Sequence, residues 1–261
     1  MLLPIRNRHF LLQEKNSQVL LDPKKLLGKY NKTVITKNNY EGSTNMNNKT
    51  ELVFILDMSG SMEHLTDDTI GGFNSILKEQ AANEGEVMVT TYLFNNSSHM
   101  IHDRLPIANV APMTKNEYQA SGCTALVDAL GCAIHHISGI HRYARKEDVP
   151  EHTVFVITTD GMENASHRYT SDEVKQMIRH EKEKYGWEFI FLAANIDAVE
   201  SAADYGIDAE MAVNYVPDAG GTQMAYATMN MAIGQARNGV HLKEKRVWRE
   251  AADKDFKKRG R

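Results

Sequence analysis

Cysteine and proline are scarce in this chain of 261 residues, which contains two cysteines and six prolines. Two cysteines are too few for a disulfide scaffold. Cys123 and Cys132 stand nine positions apart, and nine helical residues rise roughly 13 Å, which is too far for a disulfide. We therefore expect two reduced thiols, as is typical of a cytoplasmic protein.

Long apolar runs are also absent from the sequence. No run approaches the roughly 18 residues of a membrane span, and charged residues and a proline interrupt the N-terminal MLLPIRNRHFLL, which makes it a poor signal peptide. Apolar residues make up 42% of the chain, enough for a buried core. One α/β domain with appendages is favoured over two domains.

The middle of the chain lacks basic charge. Residues 1–49 carry nine Lys/Arg against three Asp/Glu and residues 241–261 carry nine against four, so residues 50–240 hold a net charge of −15. An acidic core is a poor platform for nucleic acid, whose backbone attracts basic surfaces. We expect an extension at residues 1–49 that is disordered or non-native, of which residues 1–45 are dispensable for folding, and a domain at 50–240. For the basic tail at 241–261 we favour a solvated segment over one that docks on the core or on an acidic partner, and it could extend as a charged helix.

The stretch that organises the chain is ELVFILDMSGSM, residues 51–62. Its continuous apolar run is typical of a central parallel strand covered on both faces. Asp57, Ser59 and Ser61 then alternate at the strand's carboxyl end, where open α/β sheets bind ligands. Three hard oxygen donors there suggest Mg²⁺ or Mn²⁺, although a strand-to-helix turn with a capping serine explains DMSGS alone equally well.

Two later stretches add oxygen donors. Ser121-Gly122-Cys123-Thr124 opens a helical run, and by itself Thr124 reads as a helix N-cap. The apolar run TVFVITT ends in Asp160 and Gly161, which by itself reads as an ordinary turn after a strand. Taken together in this order, the three stretches predict one cluster of five oxygen-bearing side chains.

The ordered pattern D-x-S-x-S, then T, then D resembles the metal-ion-dependent adhesion site (MIDAS) of the von Willebrand factor A-type (VWA) domain family. The matching positions are Asp57, Ser59, Ser61, Thr124 and Asp160, and the resemblance covers about residues 50–240. It implies that the hydroxyls ligate the metal directly, that the two aspartates often hold coordinated waters, and that one position stays open. The natural ligand for that position is an Asp or Glu carboxylate of a partner protein, which makes the chain an interaction module and not an enzyme.

An enzyme remains the alternative, with Asp57 as the nucleophile of a Mg²⁺-dependent phosphohydrolase or phosphotransferase. Haloacid-dehalogenase-type sites use a second aspartate where this chain has Ser59, and a lysine after the second hydroxyl. The only lysine between Thr124 and Asp160 in the sequence is Lys146. The sequence does not indicate the partner's identity or an oligomeric state. Bacterial stand-alone VWA proteins are linked to stress systems or to AAA-type ATPases, which suggests a cytoplasmic role of that kind.

Alternating strands and helices predict the fold class, a doubly wound and mostly parallel sheet with helices on both faces. The VWA resemblance adds six strands with one antiparallel edge strand, expected at 99–105. Thr170 and Glu173 form a capping box that starts a helix. Gly71 and Gly72 inside an earlier helix suggest close packing against a neighbouring backbone or loop. We expect His135, His136 and His141 to be solvated helix residues without a metal role.

Overall fold

The computed structural model describes residues 48–260; nearly all of the predicted N-terminal extension lies outside them. Six strands form one sheet in the order β3-β2-β1-β4-β5-β6. The strands are β1 (Lys49–Asp57), β2 (Glu86–Phe94), β3 (Ser98–Pro106), β4 (His152–Thr159), β5 (Glu188–Ala193) and β6 (Ala212–Asn214). All neighbours pair in parallel except β2 and β3, so the predicted sheet with one antiparallel edge strand is confirmed.

Six α-helices within residues 48–260 flank the sheet. They are α1 (Thr66–Ala81), α2 (Leu126–Tyr143), α3 (Ser171–Tyr185), α4 (Ala198–Asp204), α5 (Ala219–Arg237) and α6 (Glu250–Arg259). The predicted capping box at the start of α3 is present, with Thr170 as the N-cap. None of the helices within residues 48–260 is both long and apolar enough to cross a membrane.

Helices cover both faces of the sheet. Phe54 of β1 packs edge-on against Phe73 of α1, with ring centroids 5.0 Å apart. On the other face, His141 of α2 packs edge-on against Trp187 at 5.4 Å, and Trp187 in turn stacks on Phe155 of β4 at 5.3 Å. Phe155 pairs in register with Val53, so Phe54 and Phe155 point to opposite faces because successive strand residues alternate. This double coverage explains why residues 52–56 are all fully buried.

The sheet brings the predicted site residues to one edge. β1 ends at Asp57, and β4 ends at Thr159, immediately before Asp160. The two strands are hydrogen-bonded neighbours that run in parallel, so their carboxyl ends meet. The loop that carries Thr124 lies at this edge too, because Ala125 N donates to Asn95 O just beyond the end of β2, at 2.7 Å.

The C-terminal segment is not the solvated tail that its charge predicts. Residues Arg246–Arg249 form a 3-10 helix that leads into α6. Trp248 is completely buried, and its Nε1 donates to Leu242 O at 3.2 Å. Arg249 donates from Nη1 to Glu210 O at 2.7 Å. The expectation was wrong because the apolar Trp248 and Leu242 outweigh the surrounding charges: both side chains lose all contact with water.

One of the three histidines also departs from expectation. His135 is exposed and His136 pairs with Asp103 at 2.8 Å, whereas His141 has a side chain only 9% exposed. Its ring packs edge-on against Trp187, and its Nε2 lies 3.4 Å from Glu51 Oε2. His141 is therefore part of a buried polar cluster and not a solvated helix residue.

Candidate metal centre

The site begins where β1 ends. Asp57 accepts a hydrogen bond at Oδ1 from Ser59 N at 2.7 Å, the turn that an aspartate side chain forms with the backbone two residues on. A 3-10 helix, Gly60–Leu65, follows directly. The turn places the hydroxyls of Ser59 and Ser61 within 3.1 Å of each other.

The loop that carries Thr124 and the end of β4, which leads to Asp160, lie beside these hydroxyls. Ser61 Oγ donates to Asp160 Oδ1 at 2.5 Å. A β-carbon built on Gly161 would lie 3.3 Å from Thr124 Oγ1 and 3.8 Å from Ser61 Oγ. The negative charge of Asp160 also acts on Asp57. The structure thus brings together all five side chains that the sequence predicts.

Gly122 gives the Thr124 loop its shape. Its φ is +77°, a left-handed conformation that favours glycine, and a β-carbon there would collide with Asn96 Oδ1. Gly122 O accepts from Gly60 N at 3.0 Å, and Met58 O accepts from Ser121 N at 2.9 Å. Two backbone hydrogen bonds therefore join the loop to the Asp57 stretch.

The cluster is deeply buried on one side and open on the other. Asp57 is 0% exposed, Asp160 2% and Thr124 4%, whereas Ser61 is exposed. Burial raises the pKa of Asp57; hydrogen bonds from Thr159 and Ser59 oppose the rise, and the charge of Asp160 adds to it. Burial also raises the pKa of Asp160, against the hydrogen bond from Ser61. Both carboxyl groups therefore resist ionisation, chiefly because they are buried.

Sequence reasoning missed two residues that support Asp57. Thr159 Oγ1 donates to Asp57 Oδ2 at 2.6 Å, and Tyr118 Oη donates to the Asp57 carbonyl oxygen at 2.5 Å. The sequence pattern offered an indication for Thr159, since this residue ends the strand immediately before Asp160. It offered no indication for Tyr118, because this residue lies in an irregular connection 61 positions from Asp57.

The donor set fits a hard divalent cation. Asp160 Oδ2 is buried and has no hydrogen-bond partner among the described residues. In that part of the chain no three histidine, cysteine or acidic side chains cluster as a metal site, so a nitrogen- or sulfur-rich zinc centre does not fit. Two carboxylates and three hydroxyls suit Mg²⁺ or Mn²⁺, which prefer oxygen ligands.

A doubly wound sheet with one antiparallel edge strand and this cluster at its carboxyl edge defines the VWA class of fold. The vWF domain of the type V pili tip protein Mfa5 from Porphyromonas gingivalis is similar, with a TM-score of 0.53 and 10% identity over 74% of this chain and 96% of that chain. This likeness, at so low an identity, concerns the fold alone. The chain has the VWA-domain fold.

Two further solved structures are similar at lower scores. Proximal thread matrix protein 1 from the mussel byssus, with a zinc-occupied MIDAS motif, gives a TM-score of 0.49 and 15% identity over 70% of this chain. The match spans 46% of the mussel protein, less than half of its length. Manganese-loaded Plasmodium vivax TRAP protein gives 0.47 and 14% identity, covering 69% of this chain and 72% of that chain. Neither a protein-family model nor a curated protein matches the chain.

Proposed function

We propose that the protein is a metal-dependent interaction module. Asp57, Ser59, Ser61, Thr124 and Asp160 would hold Mg²⁺ or Mn²⁺. The observation that carries the proposal is the buried Oδ2 of Asp160, which has no hydrogen-bond partner among the described residues and lies in one cluster with the hydroxyls of Ser61 and Thr124. A buried carboxylate oxygen without a partner is costly, and a bound cation would compensate for it.

The bound ion would keep an open coordination position for a ligand from another molecule. Only two of the five side chains carry charge, so a divalent ion would keep part of its attraction for anions. The cluster opens to solvent at Ser61, the one exposed member of the five. A carboxylate from an Asp or Glu of a partner protein is the ligand that fits a hard, incompletely neutralised cation.

The phosphohydrolase alternative fits less well. Both carboxylate oxygens of Asp57 accept hydrogen bonds, from Ser59 N and from Thr159 Oγ1, and the residue is 0% exposed. A nucleophile needs a free oxygen that faces the substrate. Lys146 belongs to a 3-10 helix, Lys146–Asp148, that precedes β4 and lies at the opposite end of the strand from Asp160. It is therefore no phosphate clamp for Asp57.

Calorimetric titration with Mn²⁺ tests the metal site. Thr124→Ala should weaken binding by about tenfold, because the variant lacks one direct oxygen ligand, and it should leave the melting temperature nearly unchanged. Thr124→Ser keeps the hydroxyl and serves as the matched control. Equal Mn²⁺ affinity of the wild type and Thr124→Ala would show that Thr124 is not a metal ligand. Absence of Mn²⁺ binding by the wild type would refute the proposal.

Capture of a partner tests the interaction itself. We propose a partner in a reducing, cytoplasmic compartment, since Cys123 and Cys132 are both free thiols, within a bacterial stress or ATPase-associated system. Immobilised wild-type protein should retain the partner with Mg²⁺ and release it with a chelator, and Thr124→Ala should not retain it. Mg²⁺-dependent hydrolysis of a phosphate ester that disappears in Asp57→Asn would instead support the enzyme.

A further inference from the structure

Both backbone polar groups of Thr124, its N–H and its C=O, are hydrogen-bonded to a single residue, Asn164. The side-chain Oδ1 of Asn164 accepts a hydrogen bond from Thr124 N at 2.9 Å. In return, the backbone N of Asn164 donates to Thr124 O at 3.0 Å. Because the two bonds join the same residues in opposite directions, they fix both the position and the rotation of Thr124 relative to the loop after Asp160.

The start of α2 depends on this neighbouring loop. The helix begins at Leu126, and its N-cap residue, Ala125, has no side chain that could accept a hydrogen bond. The N–H groups at the start of a helix need partners from elsewhere. Glu163 Oε2 accepts from Val127 N at 2.8 Å, and Ser166 Oγ accepts from Asp128 N at 3.0 Å. Two residues that flank Asn164 in the loop thus replace the missing cap, while Asn164 itself holds the residue before the N-cap, Thr124.

We propose that Asn164 is a positioning residue of the metal centre, an inference that rests on the proposed function. It has no place among the five ligands, yet it ties the ligand Thr124 to the stretch that carries the ligand Asp160. Both of its hydrogen bonds form within the protein and need no metal. They hold the Thr124 hydroxyl beside Asp160 before the ion arrives, so that binding does not have to order the loop.

The geometry assigns this role to one atom of the side chain, Oδ1. Asn164→Asp keeps an oxygen in the same place, so it should preserve the bond from Thr124 N. Asn164→Ala removes the acceptor and leaves the backbone bond to Thr124 O intact. Asn83 follows α1, at the opposite edge of the sheet, and is exposed, so Asn83→Ala is the matched control for the loss of an asparagine side chain.

Mn²⁺ titration of the full chain and these three variants tests the proposal. Asn164→Ala should bind about fivefold more weakly than the wild type, the change expected for one hydrogen bond. Asn164→Asp should bind at least as tightly as the wild type, and Asn83→Ala should bind equally tightly. Wild-type affinity in Asn164→Ala overturns the proposal, as does an Asn164→Asp variant that is as weak as Asn164→Ala.

Hydrogen exchange of the metal-free protein separates this inference from the metal proposal. The amide of Thr124 should exchange faster in Asn164→Ala and at the wild-type rate in Asn164→Asp, with no metal present. Unchanged exchange in Asn164→Ala overturns the positioning role even if Mn²⁺ binds. Absence of Mn²⁺ binding by the wild type refutes the metal centre, and with it the role of Asn164, even if the exchange rates follow the expected order.

Discussion

Gly72 of α1 lies directly against the ring of Tyr226 of α5, so closely that a β-carbon at position 72 would collide with the ring atoms. The adjacent Gly71 has nothing within 4 Å of the place where its β-carbon would be. The sequence predicted close packing at both glycines against a backbone or loop. The structure gives that role to Gly72 alone, and the neighbour is an aromatic side chain.

The two glycines provide a matched pair of substitutions. Gly72→Ala should destabilise the protein, by about 1–3 kcal/mol, because Tyr226 and the helix backbone have to move apart. Gly71→Ala should stabilise it by up to about 1 kcal/mol, since alanine is the better helix former and has open space there. Urea unfolding of both variants measures the difference. Equal effects of the same sign would show that Gly72 is no more tightly packed than Gly71.

Thr159 should contribute to stability through its hydrogen bond to Asp57. Thr159→Val has nearly the same shape but lacks the donor, which leaves a completely buried carboxylate oxygen unpaired. We expect a loss of about 1.5–3 kcal/mol, the range for hydrogen bonds to charged groups. Thr159→Ser retains the hydroxyl and should lose less. A valine variant as stable as the wild type in urea would show that Asp57 does not depend on this bond.

The C-terminal segment should be necessary for a stable fold. Trp248→Ala removes a completely buried side chain, and we expect a loss of about 3–5 kcal/mol. The neighbouring Val247 is 41% exposed, so Val247→Ala should cost much less and serves as the control. Thermal unfolding of both variants measures this. Similar small losses in both would mean that the segment contributes little to the core.

Glu181 of α3 should make stability depend on pH. It is 6% exposed, and its Oε2 has no partner among the described residues. Burial raises the pKa of Glu181, against the positive charges of His180, His141, Arg142 and Lys184. Because the folded state holds this proton more tightly than the unfolded state does, its contribution to stability is present at low pH and is lost as the pH rises above the ordinary glutamate value.

Glu181→Gln removes that titration. At pH 7 the variant should be about 1 kcal/mol more stable than the wild type, because a neutral amide is less costly to bury than an unpartnered carboxylate. The advantage should shrink toward pH 4. The exposed Glu183 on the same helix provides the control substitution, Glu183→Gln. A stability gain that does not vary with pH would contradict this account.

The sequence determined the strands and the five oxygen-bearing side chains that the structure brings together at the sheet edge. Continuous apolar runs that end in Asp57 and just before Asp160 predicted two buried strands, and both lie where their patterns placed them. Such runs carry their signal locally, because burial on both faces selects apolar residues at every position. The alternation of Asp57, Ser59 and Ser61 was informative for the same reason, since it lies within one turn of chain.

Only the tertiary structure decided which distant residues support that site. Asn164 reaches Thr124 across 40 positions and Thr159 reaches Asp57 across 102, and such pairs leave no periodic pattern in the sequence. The same limit explains the C-terminal segment, where charge predicted solvation but Trp248 packs into the core. The periodicity of apolar residues in the sequence indicates which face of each segment becomes buried. Which surfaces then meet depends on how the whole sheet and its helices pack together.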